Sequence, residues 1–189
     1  SERAFAGGLG TESDPYQIAT AEQLDQVRHY LNENFVLTAD IDLSGYENWQ
    51  PIGTFQPLSE APEDAETPNP ELAFTGSFDG GGHTIANVKI NQPSGWAIGL
   101  FGCAVGTESE PGSIHDLTVE NVDVTGFYLV GGVVGLQNTN FTVENVALTG
   151  SNTVRGLQGI GGVVGTSFDT VRGCTAVADV VAMGDDGAC

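Results

Sequence analysis

Apolar and glycine positions recur down this chain in two interleaved patterns. Gly99-Leu100-Phe101-Gly102, Gly132-Val133-Val134-Gly135 and Gly162-Val163-Val164-Gly165 form glycine boxes that repeat every 30 to 33 residues. Out of phase with them, Ile85-Ala86-Asn87-Val88, Ile114-His115-Asp116-Leu117, Val143-Glu144-Asn145-Val146 and Val171-Arg172-Gly173-Cys174 recur at offsets of 29, 29 and 28. Two motifs sharing one period mark a solenoid, in which each repeat buries its apolar face against its neighbours. Within a repeat the apolar positions are β-branched-rich and broken by Asn, Asp and Gly, as at Ile114, Leu117, Val119, Val122 and Val124. No helical stripe runs through them, so the units are short strands joined at tight corners. The expected fold is all-β, a right-handed parallel β-helix (β-solenoid) of 29 to 33-residue repeats. Its coils stack about 4.8 Å apart. The pattern also predicts one inward column made of Val88, Leu117, Val146 and Cys174, which share a place in the repeat.

The first third of the chain reads differently. Thr20-Ala21-Glu22-Gln23 has the form of a capping box, and Ala21, Leu24, Val27 and Leu31 then fall on one helical face. The spacing predicts an amphipathic helix over 20–32 and, after it, a half-buried first rung in which Phe35, Leu37, Ala39, Ile41 and Leu43 alternate with polar neighbours. Residues 1–55 are therefore expected to cap the solenoid, covering core and strand edges that an open end would expose. Residues 56–73 carry four prolines and five acids, a composition expected to loop out without pairing as a strand. The repeats occupy 74–189. A fourth repeat starts at Val171, and its glycine box falls due near Gly187-Ala188-Cys189. No capping helix is legible there, so an uncapped rung able to pair with another chain is expected. A chain that starts at Ser1 with no basic, apolar leader reads as a mature or excised product.

Charge narrows the partners. Against 25 acidic residues stand 5 basic ones, a formal net charge of −20. Nucleic acid and anionic membrane are poor partners for such a surface, whereas cations, a saline medium or a basic protein suit it. No apolar stretch is long enough to span a bilayer.

Candidate chemistry is sparse. Asp40 and Asp42 share one face of a strand and His83 follows Asp79, but alternation with Ala39 and Ile41 turns both carboxylates to solvent. His29, His83 and His115 lack metal-ligand spacing, and neither an EF-hand nor a zinc-protease motif is present, so no catalytic, metal or cofactor site is expected. The disulfide candidates are Cys103, Cys174 and Cys189, an odd set in which at least one thiol is free or pairs with another chain. Cys103 and Cys189 are expected to reach a neighbouring subunit, with a Cys174–Cys189 bond within one coil as the alternative. One glycosylation candidate, Asn140, heads the sequon Asn140-Phe141-Thr142.

The run Gly10-Thr11-Glu12-Ser13-Asp14-Pro15-Tyr16-Gln17-Ile18, the segment Ala39-Asp40-Ile41-Asp42-Leu43, Trp49-Gln50-Pro51-Ile52-Gly53, Phe74-Thr75-Gly76-Ser77-Phe78-Asp79-Gly80 and the glycine boxes together resemble GLUG-motif proteins. Only the first box keeps the Gly-Leu-Phe-Gly form. The resemblance implies an extracellular, cell-surface scaffold, of the kind found in adhesin-like proteins and in the non-catalytic part of some immunoglobulin A proteases, and it brings no catalytic residues. Two functions are expected: a structural protein that self-assembles, as homo-oligomer or polymer, into a layer, sheath or filament, or an adhesin or carbohydrate-binding module of a larger protein.

Overall fold

The computed structural model describes residues 3–183. It is a parallel β-solenoid whose strands stack into four sheets. The longest holds Tyr16–Ile18, Asn34–Leu37, Ser77–Asp79, Gly112–Glu120, Phe141–Thr149 and Val171–Arg172, in that spatial order, with short strands beside its far half. A second sheet stacks Lys89–Asn91, Asp123–Thr125, Thr153–Gly156 and Asp179–Ala182. The third stacks Trp96–Ile98, Tyr128–Gly131 and Gln158–Gly161, and the fourth Phe101–Val105, Val134–Asn138 and Val164–Ser167.

The glycine boxes stack in the expected register, with Phe101 on Val134 and Val134 on Val164. They lie where the third sheet turns into the fourth, and the turn is too tight for side chains. A Cβ on Gly135 would sit 2.5 Å from the Ile98 backbone nitrogen. The inward residues form continuous columns between coils, such as Phe78, Ile114, Val143 and Val171, and Ile90, Val124, Val154 and Val180.

One expected column is corrected. Val146 stacks on Leu117, and Cys174 follows in register from the Glu144–Arg172 and Ala147–Thr175 pairs, but Val88 does not belong there. Ile85 pairs with Val119, which places Val88 beside Val122. The physical reason is that the long sheet has a left-handed corner at each end of its central bend. Asp116 and Asn145 occupy one, at φ 53° and 52°, and Asn87 and Asn121 the other, at φ 65° and 57°. Asn and Asp tolerate that conformation at both. Val119-Glu120-Asn121-Val122 therefore carries the same letters as Val143-Glu144-Asn145-Val146, and Ile85-Ala86-Asn87-Val88 is its equivalent. The extra residues are absorbed in the turn at Gly80-Gly81-Gly82-His83, between two strands that align with the single strand Gly112–Glu120.

The N-terminal end is closed. A helix spans Ala21–Gln26, and a single 3-10 turn, Val27–His29, continues it, so it is shorter than the expected 20–32. The Thr20 side chain accepts from the Gln23 amide at 3.2 Å, and Gln23 Oε1 accepts from the Ala19 amide at 2.7 Å. That satisfies donors at the helix start as the sequence foretold. The outer edge of Tyr16–Ile18 is already paired: Ala6 donates to the Gln17 carbonyl and Gln17 to that of Gly7. Phe5 lies over this end, its ring 4.5 Å from Tyr16 and 5.5 Å from Phe35.

Residues 56–73 form no strand but fold back on themselves. An antiparallel bridge joins Pro57 to Pro68, and Leu58 donates to the Thr67 carbonyl. Proline lacks a donor but keeps its acceptor, so a narrow tongue can close where a full strand could not. At its base Ala73 and Phe55 join a second apolar cluster on the outside of the fourth sheet, with Ala97, Cys103, Val105, Leu136 and Leu129.

Candidate functional site

The sides of the solenoid carry ladders of outward-facing polar residues. Because Phe78, Ile114, Val143 and Val171 point inward, the residues after them face out, and register stacks Asp79, His115, Glu144 and Arg172. His115 Nδ1 lies 2.8 Å from Asp116 Oδ2 and 3.7 Å from Asp79 Oδ1. One ligand atom from each of these three residues lies within 4.8 Å of the others, a set able to hold a cation. Its residue partners already engage it, however. The Asn145 side-chain amide donates to Asp116 Oδ1, and this bond, with that from His115, holds the Asp116 carboxyl below its ordinary value. Farther along, Arg172 Nε stands 3.3 Å from Glu144 Oε1. This cluster has no local signature in the chain, since Asp79 belongs to a different segment from His115 and only the stacking joins them.

Asp40 and Asp42 face solvent, as alternation predicted. Asp40 accepts from the Thr84 amide at 2.9 Å and lies 3.3 Å from His83 Nδ1. Asp42 accepts from Asn87 Nδ2 and from the Ser44 amide, both at 2.9 Å. These bonds keep both carboxyls below the usual range, Asp40 chiefly through Thr84 and Asp42 chiefly through Asn87. A carboxyl held that way stays charged at neutral pH and is a poor proton donor. Their evident work is structural, tying the inserted turn to the preceding rung.

Cys103 is corrected as a cross-linking residue. It is fully buried in the outer apolar cluster, and burial pushes its thiol up to about 12. It faces outward from the fourth sheet, but the left-handed turns at Ala97 (φ 56°) and Leu129 (φ 60°) accompany the side chains that cover it. Cys174 is half-buried against the main core, as its repeat position implied. Cys103 and Cys174 are not bonded to each other. Cys189 lies outside the described residues. Asn140 is half-buried and left-handed, and its Nδ2 donates to the Thr107 carbonyl at 2.7 Å. A glycan on that nitrogen would have to displace the bond.

Among the described residues, the C-terminal coil leaves apolar side chains exposed. Val143 and Val154 are fully buried, whereas Val171 and Val180, which continue their columns, are 41% and 47% exposed. Phe168 and Val177 are exposed beside them. Among the described residues, Gln158–Gly161, Val164–Ser167, Val171–Arg172, Thr175–Ala176 and Asp179–Ala182 each pair on one side only. An apolar end bounded by unpaired strand edges is a surface for adding another coil.

No family profile matches the chain. Over 165 residues, 85% of its length, it is 38% identical to halomucin of Haloquadratum walsbyi. Over 132 residues it is 37% identical to a protein of Evansella cellulosilytica named as a Gly-rich membrane protein. The chain spans only 2% and 12% of these two relatives. A solved structure from Bacteroides ovatus, described as an immunoglobulin A1 protease, matches 98% of this chain and 47% of its own, with a TM-score of 0.61 at 24% identity. That likeness shows the β-solenoid fold and carries no activity to this chain. Among the described residues no helix is long and apolar enough to cross a membrane.

Proposed function

We propose that this protein is a structural module of an extracellular, cell-surface protein, extended by stacking a further β-coil on its C-terminal end. The observation that carries the reading is the open core at Val171 and Val180, in line with fully buried valines beneath. Completing the burial of each, from a little under half exposed, is worth roughly 1 kcal/mol. The matched relatives are far longer than this chain, as a module within a repetitive protein would require. The added coil belongs to the same polypeptide in such a protein, or to a second copy.

Geometry limits how copies assemble. Among the described residues the edge of Tyr16–Ile18 is occupied by residues 6 and 7, so strand addition through the C-terminal coil joins copies in pairs. A layer, sheath or filament needs lateral contacts as well. The sides carry most of a −20 charge, so lateral association draws on cations between facing acids. Sedimentation against concentration tests the end contact: wild type associates, and Val171→Asp/Val180→Asp is monomeric. A wild type that stays monomeric up to on the order of 1 mM overturns it. Electron microscopy with and without calcium then tests the lateral step, which requires ordered polymers only when the cation is present.

A further inference from the structure

The outer face of the third sheet stacks Trp96, Tyr128 and Gln158 in one column. Trp96 is 51% exposed, an unusual place for an indole, while the other tryptophan, Trp49, is fully buried. Neighbouring rings fix its orientation. Phe55 lies nearly parallel to it, 13° between planes with centroids 6.5 Å apart, and Tyr128 meets it edge-on at 4.6 Å. Phe127 packs against Tyr128 at 4.2 Å. Side chains held in this way lose little rotamer freedom when a ligand docks.

Beside the indole lies a depression of about 430 Å³, rimmed by Gln50, Gln56, Gln92 and Thr54. Gln92 Nε2 is 3.4 Å from Gln50 Oε1, so two amides converge at the edge of the aromatic floor. On a chain with 25 acids, no carboxylate among the described residues lines this depression. Its one charged group, Arg28, is already engaged. Arg28 bonds Asp25 Oδ1 at 2.8 Å and the Gln50 carbonyl at 2.9 Å, and lies over the Trp49 ring at 5.3 Å.

We propose that this depression binds a neutral saccharide, with one pyranose ring laid on Trp96. A pyranose has a face of C–H bonds that matches the electron-rich face of an indole, and equatorial hydroxyls that match amides able both to donate and to accept. An acidic sugar lacks a free cation here and meets the repulsion of the whole molecule. A peptide strand lacks the flat C–H face, and strand pairing belongs to the sheet edges. The volume accommodates one or two sugar rings, so the affinity is modest, with Kd on the order of 1 mM.

The test titrates the full chain with neutral hexasaccharides of glucose, mannose, galactose and xylose, and with polygalacturonate as the acidic control. Binding is followed by calorimetry and by quenching of tryptophan fluorescence with acrylamide, which reports the accessible Trp96. At least one neutral hexasaccharide is expected to bind and to protect Trp96 from quenching. Trp96→Ala should weaken it about tenfold or more at an unchanged thermal midpoint, Gln92→Ala by about threefold, and Trp96→Phe should keep part of the affinity. Absence of neutral binding at about 10 mM, preference for polygalacturonate, or full affinity in a folded Trp96→Ala variant overturns the proposal.

Discussion

At single residues, the solenoid imposes two demands, apolar side chains in its columns and short polar ones at its left-handed corners. Val146 is buried between Leu117 and the slot of Cys174. Val146→Ala should lower stability by about 1 to 3 kcal/mol in chemical denaturation, because rigid neighbours above and below cannot close the void. An unchanged midpoint would refute the register. Asp116 gives a pH signature. Hydrogen bonds from Asn145 and His115 depress its folded pKa below 3.8. Its contribution is therefore complete above the unfolded value and lost as pH falls through the lower folded one. The gap in thermal midpoint between wild type and Asp116→Ala should shrink as pH falls below about 4. A gap that persists to about pH 2 would show that the carboxylate is not engaged. Cys103, buried with its thiol pushed up to about 12, should escape alkylation in the folded protein and react once denaturant is added, as peptide mapping would read. Its alkylation without denaturant would mean that the outer cluster opens.

For strands and turns, legibility depended on how local each constraint is. The glycine boxes were legible in register because backbone crowding at one turn dictates them. Gly135→Ala should cost more than the roughly 1 kcal/mol typical of a point substitution, since its Cβ meets the Ile98 nitrogen at 2.5 Å. A thermal midpoint equal to wild type would show that the coils can separate. The capping box at Thr20 was equally local, and its bonds are present. The helix behind it ends early because, after Gln26, the chain tightens into a 3-10 turn. The motif at Ile85 was legible as a corner but not as a particular corner, since both ends of the bend in the long sheet ask for Asn or Asp.

Across the whole molecule, charge and open ends govern behaviour. A net charge of −20 on a slender stack makes the folded state repel itself more than the expanded chain does. The thermal midpoint should therefore rise as sodium chloride increases from about 0.01 M, where the Debye length is ~30 Å, to about 1 M, where it is ~3 Å. A midpoint that falls or stays level would indicate that the ladders, such as Arg172–Glu144 and Arg155–Asp123, outweigh the repulsion they sit in. The candidate sites belong to this scale as well. The Asp79–His115–Asp116 cluster and the Trp96 platform both join residues far apart in sequence through stacking, so neither has a local signature.

The sequence by itself determined the repeat length, the strand class, the inward columns of the later coils and an acidic exterior. All of these follow from the in-and-out alternation of side chains and from turns too tight for a Cβ. The tertiary structure alone decided which corner Asn87 occupies, that residues 6 and 7 close the N-terminal edge, and that Cys103 is sealed beneath Leu129 and its neighbours. Alternation specifies which way a side chain points. Only the lateral register between coils, set by insertions such as Gly80-Gly81-Gly82, specifies what it points at.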